Sequence, residues 1–332
     1  MKYIPFLLLC LLASCAGDSR HKSINVEKNV VDITEKIYPI DFGDTVLFNA
    51  FCKVDIAKDY LIVSDYKNYE NQVHLFDKNN FHYLASTAPL GQGPGEITTL
   101  GGILINEEGS ELYVQDFARY QFFAYNPDSI RNNPEYKPTL KWNMDRDIFA
   151  ITLQMLNDTA SVGLIGKPVS ASEINMQTGF WNMETNEIRL LDDLYVGEEH
   201  TRYDVEASVE HNLIVEAHWY LNRVVLRRFD GTELCRIEGA TDNWQNMTDY
   251  YRSPLFVGSN IYLLYYGRKY TDKDKRNYTP TKIVILDLEG NYLKTLDTPY
   301  YITSWCYDED NRRIILNMNE EVQFGYLEVE DM

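Results

Sequence analysis

Three places in this 332-residue chain put reactive or recognising side chains at spacings that could do chemistry. The first is Leu12-Ala13-Ser14-Cys15, directly behind the apolar run from Ile4 to Leu12. Small residues there admit a peptidase, and the Cys15 thiol is the one local nucleophile able to take a diacylglyceryl group. The second is Gly91-Gln92-Gly93-Pro94-Gly95-Glu96, where three glycines and a proline force a sharp, irregular turn. Such a turn can aim successive backbone N–H groups at an anion, with Gln92 and Glu96 as side-chain candidates. It is not a phosphate loop, because no Lys-Ser/Thr pair follows it, and it reads equally well as a connection that needs close backbone approach. The third is a scattered set of aromatic and basic residues: Arg119 and Tyr120; Trp219, Tyr220 and Arg223; Trp244, Tyr250, Tyr251 and Arg252; and Arg268 with Lys269, Tyr270, Lys273, Lys275 and Arg276. Rings beside guanidinium groups suit sugar faces, peptides and acidic ligands.

Other chemistry is missing from the sequence. There is no His-Glu-x-x-His, no Cys-x-x-Cys and no Gly-x-Ser-x-Gly. His74, His82, His211 and His218 are isolated, so no metal, cofactor or catalytic residue is nominated. Asp308-Glu309-Asp310-Asn311 lacks the glycine and distal glutamate of a calcium loop and fits a hairpin turn better. Cys52, Cys235 and Cys306 are left as an odd set, which leaves open buried thiols or a Cys52–Cys306 bridge in an oxidising compartment. With 31 Lys+Arg against 50 Asp+Glu, the net charge of −19 argues against nucleic acid or an anionic bilayer surface as the main partner. The 25 Tyr and 14 Phe exclude a disordered chain.

A repeat supplies the elements that position these residues. A short apolar strand, a loop, a second strand, a tight turn and a third strand recur six times, the first strands starting near residues 61, 112, 161, 213, 261 and 314. The clearest copy is Leu61 to Asp65, Val73 to Asp77, the turn at Lys78-Asn79-Asn80, then Phe81 to Ser86. The third copy, at 161–191, departs most from the pattern. Steps of 51, 49, 52, 48 and 53 residues with strand-turn-strand content predict an all-β, six-bladed β-propeller of four-stranded antiparallel blades, in preference to a two-domain β-sandwich. The sixth unit lacks a fourth strand, and the strand-like segment Val30 to Ile37 is unused. An open sheet edge invites aggregation, so residues 30–38 are expected to close the last blade on residues 322–329. In such a ring the loops bearing the third set of residues, with Tyr66 and Tyr69 from the first blade, share one face.

Leu12-Ala13-Ser14-Cys15 resembles the lipobox of bacterial lipoproteins. Behind it, the Gly-x-Gly-Pro-Gly-Glu segment and the repeat together resemble the TolB-like six-bladed β-propeller lipoproteins of Bacteroidetes, over nearly the whole mature chain. The resemblance implies a signal peptide at 1–14, a lipid-anchored flexible tether at 15–29 and one propeller at 30–332. It further implies residence in the cell envelope, at the outer membrane. The expected function is binding or scaffolding of a peptide, glycan or envelope protein on the loop-rich face. The alternative is a hydrolase or lactonase acting in the central channel, and converging carboxylates there would favour it.

Overall fold

The computed structural model describes residues 20–170, 173–191, 202–242, 247–269 and 280–331. The Cys15 box, Trp244, Tyr270, Lys273, Lys275 and Arg276 lie outside these residues. The chain opens with three short strands, β1 (Arg20–Lys22), β2 (Val30–Asp32) and β3 (Ile37–Pro39). Six sheets follow. Blade one holds β4 (Lys53–Ala57), β5 (Tyr60–Ser64), β6 (Asn71–Asp77) and β7 (Tyr83–Pro89), and blade two β8 (Leu100–Ile105), β9 (Leu112–Asp116), β10 (Gln121–Tyr125) and β11 (Thr139–Asn143). Blade three holds β12 (Phe149–Asn157), β13 (Ala160–Ser170), β14 (Glu173–Asn182) and β15 (Glu187–Leu190), and blade four β16 (Tyr203–Ser208), β17 (Leu213–His218), β18 (Arg223–Arg227) and β19 (Glu233–Glu238). Blade five holds β20 (Thr248–Val257), β21 (Asn260–Lys269), β22 (Lys282–Asp287) and β23 (Tyr292–Asp297). Blade six adds only β24 (Ile302–Asp308), β25 (Arg313–Met318) and β26 (Phe324–Glu328) before the N-terminal strand completes it.

The chain is therefore an all-β six-bladed propeller of four-stranded antiparallel blades with almost no helix. The second strands start at Tyr60, Leu112, Ala160, Leu213, Asn260 and Arg313, within one residue of the expected positions. They are apolar on both faces because each blade is sandwiched between two others. In β21, Ile261 and Leu263 pack toward blade four while Tyr262 and Leu264 pack toward blade six. In β5, Tyr60 and Ile62 face blade two, and Leu61 and Val63 face blade six. Period-2 alternation thus serves two seams at once, which turns the usual in/out pattern into a continuous hydrophobic run. Burying one such Val, Leu or Ile is worth about 1.5–3 kcal/mol, so these strands dominate the cohesion of the ring.

Closure departs in detail from expectation. Ile37, Tyr38 and Pro39 pair antiparallel with Leu327, Tyr326 and Gly325, as a closing strand must. Val30–Asp32, however, pairs parallel with Thr295–Asp297 and becomes a fifth strand on blade five. The break lies at Asp32, whose carboxylate accepts the Thr34 N–H at 2.8 Å and turns the chain. Ile33, fully buried, then drops into the seam between blades five and six. Within the expected tether, residues 20–22 pair parallel with 235–237 on blade four. Ile24 and Val26 pack on the seam of blades four and five, so the described part of that stretch lies against the ring. Between β10 and β11 lies a short helix, α1 (Pro127–Asn132), with Asn126 as its cap accepting Ser129 N–H at 2.8 Å.

Candidate functional site

First strands of neighbouring blades touch one another around most of the ring, so they are innermost and line the central channel. The loops between second and third strands open on one face, together with the connections between blades. The glycine loop, between blades one and two, is on that face, and its own glutamate fills it. Glu96 Oε2 accepts the Gly93 N–H at 2.6 Å, and a Cβ on Gly91 would lie 2.0 Å from that oxygen. Gly95 takes a φ of +83°. Arg119 donates to the Glu96 carbonyl at 3.2 Å, and Gln72 donates to Ile97 O at 3.0 Å. The concavity foreseen for an external anion holds an internal carboxylate, and Glu96 braces the turn. Gln92 is exposed at its tip.

The aromatic and basic residues separate into distinct groups. Arg119 is 3.5 Å from Asp116, and Tyr120 packs with Phe117, Phe149 and Arg146 where blades two and three meet. Arg223 is not on a loop: it opens β18, is buried, and donates to Glu238 directly across the strand pair at 2.5 Å. Arg252 and Arg268 likewise belong to strands rather than loops.

The richest group joins blades four, five and six. Arg252 lies 3.9 Å from the Trp219 ring centroid, and Tyr220 packs edge-on against that indole. Arg252 grips Asp249 through two bonds of 2.9 Å. Bulges in β20, with Ser253 at φ +45°, put these two side chains together. Burial opposes the Arg252 charge, but Asp249 outweighs it and holds the guanidinium more firmly protonated than usual. Arg268 is stacked between Tyr266 and Tyr301, 4.8 and 4.6 Å from their centroids. It donates to Tyr301 Oη at 2.8 Å and only distantly to Asp249, at 3.4 Å. Its Nε and Nη1 are buried and find no hydrogen-bond partner among the described residues. Asp249, Tyr266 and Tyr301 were not singled out in the sequence, and the bulge that recruits them leaves no pattern in it.

The channel holds a second arrangement. Asp55 on β4 and Glu206 on β16 come from blades one and four, which stand opposite each other in a six-membered ring. Burial pushes the Asp55 carboxyl up to about 7, partly relieved by Lys53. Burial and then the charge of Asp55 push Glu206 up to about 8. Both keep a partly accessible surface, so the solvent that reaches them is confined by the ring. Asp204 is also raised by burial, offset by the Ser253 N–H, Arg252, Trp219 and Lys53. Among the described residues no three His, Cys, Asp or Glu are grouped to hold a metal ion. Cys52, Cys235 and Cys306 are buried thiols that form no disulfide, which decides against the bridge. Asp308 to Asn311 forms the first hairpin turn of blade six, where Asp308 accepts from Asn311 and Arg313 at 2.8 and 3.1 Å.

Residues 29–147 match a sequence family, DUF5128, described as a 6-bladed beta-propeller. Solved structures share the fold across most of the chain. A DUF4221 family member from Bacteroides vulgatus is 10% identical, with 88% of this chain and 94% of that one covered at a TM-score of 0.55. A Bacteroides fragilis protein inferred to be exported is 10% identical, covering 93% and 97% at a TM-score of 0.54. A gluconolactonase from Xanthomonas campestris is 12% identical, covering 82% of each chain at a TM-score of 0.52. No curated protein matches the chain. At these identities the likeness is one of fold.

Proposed function

We propose that this chain is a lipid-anchored cell-envelope protein that binds a partner bearing acidic groups, an acidic peptide or glycan, on its loop-rich face. The observation that carries the reading is the Trp219–Arg252–Asp249–Arg268 group. Two guanidiniums lean on one carboxylate, and one of them keeps two buried donors unmet. Buried polar groups are nearly always satisfied, and an unmet donor costs about 1–3 kcal/mol, so a site that keeps one is disposed toward an acceptor from outside. Trp219 adds a flat apolar surface beside the charge, the combination that anchors interfaces. The exported character of the Bacteroides fragilis relative and the Cys15 box support the envelope address. The test is direct titration with defined acidic and neutral peptides and oligosaccharides. Acidic ligands should bind with a salt-sensitive affinity, and Trp219→Ala and Arg252→Gln should each weaken binding at least tenfold. Equal binding of neutral ligands, or wild-type affinity in both variants, overturns the reading.

A second reading, an enzyme acting in the channel, is favoured by Asp55 and Glu206. A carboxylic acid raised to about 7 or 8 can donate a proton at neutral pH, as general acid catalysis of ester or lactone opening requires. Assay of a lactone and ester panel decides it. Turnover abolished by both Asp55→Asn and Glu206→Gln supports it, and absence of turnover across the panel rejects it.

A further inference from the structure

The N-terminal strands fix where the chain enters the ring. The first described residue, Arg20, pairs with Cys235. A Cβ on Gly290, in the turn between β22 and β23 of blade five, would come within 2.9 Å of the Cys235 sulfur. Lys22 reaches the same turn, with Nζ donating to the Glu289 carbonyl at 2.5 Å and to Asn291 Oδ1 at 2.7 Å. The chain therefore enters the propeller at the rim of blades four and five, beside turns that connect third to fourth strands. Those turns lie on the face opposite the loops that carry Trp219 and Tyr220. From residue 20 the path is committed: Glu27 pairs with Lys282 at 3.0 Å, β2 lies on blade five and β3 on blade six.

Only five peptide units separate Arg20 from Cys15. Fully extended they reach about 17 Å, at roughly 3.4 Å per residue. The strands separating the two faces are five to seven residues long in blade one, a rise of roughly 16–24 Å before loops are added. The anchor is thus too short to let the ring turn its loop-rich face to the bilayer from this rim. We propose that the rim formed by the third-to-fourth-strand turns of blades four and five, with Asp230 and Glu289 at its tips, is the surface held against the lipid bilayer, so that the Trp219–Arg252 face is presented outward. The proposal rests on the lipid-anchor reading of Cys15.

The experiment uses the full-length acylated protein in vesicles of phosphatidylethanolamine and phosphatidylglycerol containing nitroxide-labelled lipid. Fluorophores are placed through Asp230→Cys, Glu289→Cys and, on the loop-rich face, Tyr69→Cys, which is 89% exposed. The native thiols are buried and stay unlabelled in the folded protein. Quenching at residues 230 and 289 should exceed that at 69 severalfold. Inserting fifteen Gly/Ser residues between Cys15 and Arg20 should erase the difference. Equal or reversed quenching in the native-length protein overturns the orientation. A difference that survives the insertion overturns the tether as its cause. Failure of the protein to float with vesicles removes the anchor reading itself, an outcome flotation reports separately.

Discussion

At the scale of single residues, the glycine loop shows how a recognisable motif can be spent on structure. Gly91 leaves room for the Glu96 carboxylate, which a Cβ would contact at 2.0 Å. Gly91→Ala is expected to cost about 1–3 kcal/mol, because either the carboxylate or the backbone must move off the Gly93 N–H. Glu96→Ala removes the clash as well as the bond, so the double variant should lose less than the sum of the singles. Denaturant melts of the two singles and the double measure that coupling. A second expectation concerns Asp55 and Glu206. Their ordinary values are 3.8 and 4.5, and the folded ring raises them to about 7 and about 8. Each folded carboxyl binds its proton more tightly than the unfolded one does. This contribution to stability is therefore complete below pH of about 4 and is lost as pH rises through about 7 to 8. The melting temperature should fall between pH 5 and 8 on this account, and Glu206→Gln should flatten the fall and stabilise the protein at pH 8.5. An unchanged slope in that variant refutes the buried-acid account.

Elements divide by how much of their environment the sequence encodes. The second strands of the blades were legible because both faces are buried. Leu61-Ile62-Val63 and Ile314-Ile315-Leu316 read as unbroken apolar runs, and Asn, Gly and Asp punctuate the turns between. β1 was not legible, and Val30–Asp32 was legible as a strand but not in its partner: each is three residues long and pairs parallel to a strand more than two hundred residues away, which no local periodicity encodes. The candidate site was legible in its residue types but not in its assembly. Trp219, Arg252 and Arg268 stood out as aromatic and basic residues in an acidic chain. Their partner Asp249 was one of 50 acids, and only the β20 bulge marks it. The same anonymity hid Asp55 and Glu206. The role of these short strands can be tested by stepwise truncation. Removing residues 16–19 should leave the melting temperature unchanged. Removing 16–29 should lower it by several degrees, since Ile24 and Val26 leave their seam. Removing 16–40 should prevent folding, because β26 loses its only outer neighbour. Identical melts for all three would show that the N-terminal strands contribute nothing to closure.

For the whole molecule, the six apolar seams differ in character. Among the described residues, that of blades three and four has the smallest buried apolar part, split between Val162, Leu191, Ala207 and Ile214 and a separate pair, Leu164 and Tyr203. Beside them Thr178 donates to Glu216 at 2.6 Å, and Glu216 pairs with Arg227 at 3.0 Å, all three buried. Buried ion pairs return little net stability once desolvation is counted, so this joint is expected to be the ring's weakest. It also borders the blade that departs most from the repeat. Hydrogen exchange should find β15 and β16 opening at lower free energy than β21 and β22, which build the two largest apolar clusters among the described residues.

Ring closure by Ile37–Pro39 against Gly325–Leu327 also governs the order in which the fold can be completed. The chain is synthesised from its N-terminus, so the closing strand is among the first segments to emerge from the ribosome and its partner among the last. Nearly three hundred residues must follow before the two can meet, a span that makes their pairing the slowest kind of contact to form. Until then blade six has an unfilled edge, and the early-arriving strands have nothing to dock on. A translation product that stops short of residue 324 would therefore be an open ring, visible to proteases through the whole of its exposed edge.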